Sequence, residues 1–324
     1  MNAIEIQGLE KTYSVGFWRK QPKCALKPLH LTVPNGEVFG FLGPNGAGKT
    51  TTLKLLMGLM YPTAGSARIL GMEINDPRMK AQIGFLPEQP YFYDYLTARE
   101  LLTYYGKLSG VATRELPQRI AAVLDRVGLT SASATQLRKF SKGMLQRAGI
   151  AQAILHDPKV VFLDEPMSGL DPMGRREVRD LMVQLKQEGK TIFFSTHILS
   201  DAEALCDRVA VLHQGELRGI GTVADLTSKT QGKVEITWHG SLFPSALQAL
   251  GATSQVSGDT MRAEMNDSQL DAAIDILRRE RCRIISIVPV RGTLEEYFLQ
   301  QMNTPDLSQP HLPQPGLSQK GASA

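Results

Sequence analysis

The stretch FLGPNGAGKTTTLK, residues 41–54, sets three glycines, a lysine and three threonines between two apolar segments. Ahead of it, GEVFGFLG (36–43) mixes glycine with apolar and aromatic residues and predicts a buried strand. Behind it, TTLKLLMGLM (51–60) carries the apolar spacing of a helix. In a strand-loop-helix context, Gly43, Gly46 and Gly48 permit the backbone angles that turn successive N–H groups inward. They form an anion nest at the positive end of the following helix. Gly43, Pro44, Asn45, Gly46, Ala47, Gly48, Lys49 and Thr50 fit the whole of GxxxxGK[ST]. In that loop Lys49 reaches the β- and γ-phosphates, Thr50 offers its hydroxyl to Mg²⁺, and Thr51 stands near the α-phosphate. The stretch implies a nucleoside triphosphate site.

A second strand specifies the chemistry further. KVVFLDEP (159–166) is four apolar residues ending in Asp164 and Glu165, the pattern of a parallel strand buried on both faces that delivers carboxylates at its C-terminal edge. Asp164 is placed to hold Mg²⁺ through water, and Glu165, one residue beyond, to orient and partly deprotonate an attacking water. A third apolar segment ends in FFSTH, at His197.

Two further stretches, FSKGMLQR (140–147) and SGLD (168–171), flank the acidic strand. In this order the motifs resemble the ATP-binding cassette of ABC transporters over about residues 3 to 226. The resemblance makes Phe140–Met144 the signature in place of LSGGQ, Val160–Asp164 the Walker B strand, Glu165 the catalytic carboxylate, Ser168–Asp171 the D-loop and His197 the switch that braces the γ-phosphate. Tyr13, ahead of the P-loop strand, matches the aromatic that stacks on adenine; residues 14–23 form an insertion behind it. Lys142 and Met144 replace the consensus glycine and glutamine, while Ser141 and Gly143 remain to supply hydroxyl and N–H donors. In IGFLPEQP (83–90), Glu88 aligns with the Q-loop glutamine near Mg²⁺, with Gln89 one residue later. PEQP and SKGMLQR resemble the exporter branch, whose ATPase and permease are separate chains.

The resemblance implies an α/β P-loop cassette with a helical subdomain over about 91–157, working as a dimer in which the signature of one copy completes the ATP site of the other. An integral-membrane permease is the implied partner, at the inner face of the cell membrane. The crowded rings of Tyr91, Phe92, Tyr93 and Tyr95 stand where its coupling helix docks. A soluble ABC ATPase acting on ribosomes or DNA is the other class, but those members carry paired or coiled-coil-interrupted cassettes. A nucleotide kinase shares only the P-loop.

Composition agrees with a folded, soluble reading. The chain has 324 residues, 42% hydrophobic, with a net charge of +4 from 36 basic and 32 acidic residues, too slight to argue for nucleic acid. No apolar run approaches the ~20 residues of a bilayer span. Cys24, Cys206 and Cys282 are expected as reduced, buried thiols. LSDAEALC predicts a helix capped by Ser200 or Asp201, and RVAVLHQGELRGIGT a hairpin about Gln214 and Gly215. Beyond the polar linker TSKTQGK (227–233), residues 234–302 predict a βαββαβ order, a small α+β domain of ferredoxin-like kind that closes on an amphipathic TLEEYFLQQ. Residues 304–324, rich in proline, serine and glutamine, predict a disordered tail.

Overall fold

The computed structural model describes residues 1–16, 19–228, 232–240, 243–257, 259–290 and 292–303; the tail expected from 304 lies outside them. Strands β1 (Asn2–Val15) and β2 (Gln21–Pro34) form a long hairpin. They are followed by β3 (Val38–Leu42), α1 (Lys49–Leu56), β4 (Ala64–Ile69), β5 (Met72–Glu73), α2 (Pro77–Lys80) and β6 (Ile83–Leu86). Helices α3 (Ala98–Leu108), α4 (Leu116–Arg126) and α5 (Lys142–Ile154) precede β7 (Val160–Asp164), α6 (Pro172–Gln187) and β8 (Thr191–Thr196). Then come α7 (Leu199–Leu205), β9 (Arg208–His213), β10 (Glu216–Thr222) and α8 (Val223–Ser228).

A six-stranded sheet in the order β10-β9-β3-β8-β7-β6 positions the site, and a four-stranded antiparallel sheet β2-β1-β4-β5 lies beside it. Strands β3, β7 and β8 are buried at every residue, which is why each reads as an apolar run without alternation. Phe193 of β8 packs its ring 5.4 Å from Phe39, 5.3 Å from Phe41 and 5.7 Å from Phe162, joining the three strands through one aromatic contact set. Gly84 of β6 lets α5 approach closely: a Cβ there would sit 2.0 Å from the Ala153 carbonyl oxygen. The α3–α5 segment forms the helical layer, with Leu101, Leu102, Leu116, Ile120, Val123 and Leu124 buried at helical spacing. A Thr97/Glu100 capping box opens α3.

Several expectations are corrected. Helix α1 stops at Leu56 rather than running to residue 60, because the chain turns at Gly58 with φ 62°. Neither Ser200 nor Asp201 caps α7: Ile198 is the cap residue, without a side-chain bond, and Ser200 and Asp201 fall inside the first turn. Tyr13 is itself within β1, opposite Lys23, so the flanks of the 14–23 insertion are a paired extension of the hairpin; residues 17 and 18 are outside the described residues. Cys24 is exposed, not buried. The hairpin at Gln214 and Gly215 forms as expected, both residues at positive φ.

Beyond α8 the chain forms β11 (Lys233–His239), α9 (Ser245–Ala249), β12 (Thr253–Ser257), β13 (Thr260–Asn266), α10 (Leu270–Arg279) and β14 (Arg283–Val290). All pairings in this sheet, β12-β13-β11-β14, are antiparallel, the arrangement of a ferredoxin-like unit. Trp238, Ile236 and Val234 point with Leu277 and Ala273 into its own core. The last helix, α11 (Leu294–Asn303), leaves that core and packs with Leu42, Ala202, Val209, Val211 and Leu226 of the preceding fold.

Replacing Gly84 by alanine is expected to destabilise the protein by about 3 kcal/mol, because backbone rather than a movable side chain blocks the added methyl. Urea unfolding of the full chain measures it.

Candidate active site

The phosphate loop leaves β3, Asp164 and Glu165 end β7, and His197 follows β8; these strands are parallel neighbours, with Leu42 opposite Thr196 and Asp164 opposite Ser195. Parallel pairing in register thus delivers all three motifs to one carboxyl edge of the sheet. Gly48, at φ 108°, ends the loop and starts α1 in a conformation that disfavours a side chain. The loop walls a cleft of about 790 Å³ shared with Tyr13, Lys23, Glu88 and Glu165. Of the two Q-loop candidates, Glu88 is the one that lines it.

Inside the cleft, Lys49 Nζ donates to the Gly43 carbonyl at 2.7 Å and to that of Pro44 at 3.3 Å, and lies 3.2 Å from Glu165 Oε1. Both charges of this ion pair are buried, at 5% and 6% exposure, and compensate each other. Glu165 Oε2 meets His197 Nδ1 at 2.9 Å. The Glu165 backbone sits at φ 49°, a conformation non-glycine residues rarely adopt, and its N–H donates to Ser195 Oγ at 3.1 Å. The Ser195 hydroxyl in turn donates to Asp164 Oδ1. One serine therefore ties the Asp164 carboxylate to the Glu165 backbone. Ser195 escaped sequence reading, although a hydroxyl directly after the apolar Ile192–Phe194 and two residues before His197 was a visible signal.

Thr50 and Glu88 line the cleft and Asp164 stands buried at the end of β7, so the hard oxygen donors that Mg²⁺ takes are present. Tyr13 lies at the cleft rim, its hydroxyl 3.5 Å from Thr51 Oγ1 and its ring face 5.4 Å from the Lys11 ammonium. Ser141 is the N-cap of α5, where its Oγ accepts from Met144 N–H at 3.2 Å, and Gly143 occupies the same first turn. Lys142 lies over the D-loop: a Cβ on Gly169 would come 2.1 Å from its Nζ. Gln146, buried in α5, donates to the Pro166 carbonyl at 3.0 Å and ties the signature helix to the residue after Glu165. Within one copy, Ser141 and Gly143 are not among the residues lining the cleft that holds Lys49.

Residues 26–168 match the family model described as ABC transporter. An ABC transporter ATP-binding protein of Synechocystis sp. is 46% identical over 303 residues, 93% of this chain and 85% of that one. The chain belongs to the ABC transporter ATP-binding proteins. A fluoroquinolones export ATP-binding protein of Mycobacterium tuberculosis is 38% identical over 73% of this chain and 77% of its own length. Among solved structures, a dimeric ATP-binding cassette in a post-hydrolysis state bound to ADP and Pi matches with TM-score 0.62 and 26% identity, over 68% of this chain and 98% of that one. This ABC subunit is accordingly an ATPase. Among its described residues no helix is long and apolar enough to cross a membrane.

Lys49→Ala is expected to cost the folded ABC subunit about 3 kcal/mol by leaving the Glu165 carboxylate buried without its cation. Adding Glu165→Gln should recover part of that loss, a coupling read from urea unfolding of the two single variants and the double.

Proposed function

We propose that this ABC subunit drives export: two copies close on ATP, hydrolyse it in composite sites, and pass the opening motion to a separate integral-membrane permease at the inner face of the membrane. The observation that carries the hydrolytic part is the Glu165 carboxylate held on the cleft wall between Lys49, at 3.2 Å, and His197, at 2.9 Å. Export is supported by the fluoroquinolones export relative, and pairing by the dimeric cassette among the solved structures.

In this reading Tyr13 stacks on adenine, the loop from Gly43 to Thr51 cradles the phosphates, and Lys49 neutralises the β- and γ-oxygens. Thr50, Asp164 and Glu88 would hold Mg²⁺, which would supply charge neutralisation to the phosphates. Glu165 orients the attacking water and accepts its proton as the water oxygen bonds to the γ-phosphorus and the bond to ADP breaks. His197, with Nδ1 on Glu165, keeps Nε2 for a γ-phosphate oxygen. The partner copy's signature completes the site: Ser141 Oγ accepts from Met144 N–H, so its own proton remains for the phosphate, beside the Gly143 N–H. Hydrolysis removes those shared contacts and lets the pair open.

The permease-facing surface lies just past Glu88. Tyr91 is 95% exposed, and Tyr93 and Tyr95 are exposed beside it, whereas Phe92 packs against the helical layer. The rings of Tyr93, Tyr95 and Tyr104 form one outward cluster, with centroids 5.8 and 6.4 Å from Tyr93. Exposed aromatics next to a nucleotide-facing loop suit a groove that grips a short helix.

Glu165→Gln is expected to keep ATP binding while lowering kcat by about three orders of magnitude, and to accumulate an ATP-bound dimer detectable by light scattering. A monomeric variant turning over at the wild-type rate would refute the assignment. Polar replacement of Tyr91 and Tyr93 should leave the isolated subunit's ATPase unchanged and abolish capture of the permease; lost ATPase with capture intact would place these rings in the core.

A further inference from the structure

The ferredoxin-like domain is held to the cassette at both ends. Its chain enters after α8, whose Leu226 is buried, and returns through α11, whose Leu294 and Tyr297 are buried in that same cluster. The start of α11 is set by its own capping box: Thr293 Oγ1 accepts from Glu296 N–H at 3.2 Å, and the Glu296 carboxylate faces Thr293 N–H. It is also set from outside, because the Leu294 N–H donates to the carboxylate of Glu203. Glu203 belongs to α7, the helix that begins two residues after His197. Ala202 and Leu199 of α7 pack into the cluster shared with Tyr297.

The third contact is a close approach. The hydroxyl end of the Tyr297 phenol reaches β10 at Gly219, where a Cβ would fall 2.1 Å from its Oη and 3.1 Å from its Cζ. Gly219 has no positive φ to explain it, so the room for this ring is what the glycine supplies. A polar bond and an apolar face therefore hold α11 against α7, the helix that follows the switch, and a glycine slot seats it on β10.

We propose that α11 is a positioning element for His197: through Glu203 and the Leu294–Tyr297 face it fixes α7, and α7 fixes the imidazole against Glu165. The accessory domain, attached on both sides of this contact, is thereby tied to the hydrolytic site mechanically, and a pull on it loosens the switch. The catalytic meaning of this latch rests on the hydrolytic roles proposed for Glu165 and His197; its geometry does not.

The test uses the full chain and four variants. Tyr297→Ala removes the contact, Gly219→Ala wedges it open by a change placed on β10, Tyr297→Phe reports what the hydroxyl itself contributes, and Gly219→Ala/Tyr297→Phe removes the clashing hydroxyl. The first readout is the ring nitrogen resonance of His197, identified by its loss in His197→Ala. It is expected to move in Tyr297→Ala and Gly219→Ala and to return in the double variant. A resonance unchanged in both single variants overturns the latch, whether or not the chain hydrolyses ATP. The second readout is turnover: kcat should fall about tenfold in the two disruptive variants with ATP affinity changed less than about twofold. An equal loss of affinity and kcat, or no rescue in the double variant, would also overturn it. A wild-type chain that did not hydrolyse ATP would refute the proposed function, while the resonance would still decide the latch.

Discussion

Parallel pairing of three strands that are far apart in the chain governs this molecule. β3, β8 and β7 lie side by side in register, and each ends where a functional segment begins. Because the strands are buried on both faces, a slip of register would mismatch side chains packed against both layers. The phosphate loop, the Asp164–Glu165 pair and His197 meet for that reason, although 154 positions separate Gly43 from His197 in the numbering of the chain. Phe193, in contact with rings on both neighbours, is the residue where this constraint is most concentrated.

The site is built around compensated burial. An ammonium and a carboxylate are placed where water scarcely reaches, and each is kept tolerable by the other and by fixed dipoles: two loop carbonyls for Lys49, a histidine and a serine-anchored backbone for Glu165. The strained φ of Glu165 fits the same picture, since over-determined surroundings hold a residue in a conformation it would not choose alone. Asp201 of α7 adds a third buried carboxylate nearby. Burial pushes its carboxyl up, opposed by Arg175 and Arg179, and its Oδ2 has no hydrogen-bond partner among the described residues.

Two regions hang on this frame with different rules. The helical layer is joined to the sheet by close approaches, of α5 to Gly84 and of Gln146 to the Pro166 carbonyl, so the signature turn and the residues after Glu165 are mechanically linked. The ferredoxin-like unit has its own apolar core about Trp238, and meets the cassette through α11. An independent core with a helix lent to a neighbour is a geometry in which relative motion has somewhere to act.

Local sequence determined what local physics controls. The glycine spacing and lysine of residues 43–50 dictate an anion loop in any context that supplies a strand and a helix. The apolar runs ending in Asp164-Glu165 and His197 point to buried parallel strands, and the succession of patterns in 234–302 to the βαββαβ order. Where a helix stops or which residue caps it was less legible: α1 ends at Leu56, just before the turn at Gly58, and α7 takes no cap from Ser200 or Asp201, which fall inside its first turn. Only the folded chain decided that Ser195 bridges Asp164 and Glu165, that Glu88 rather than Gln89 lines the cleft, and that Tyr297 belongs with α7. Each of these is a contact between residues whose separation along the chain carries no signal, and it exists because closure of the sheet and the shared apolar cluster bring their backbones together.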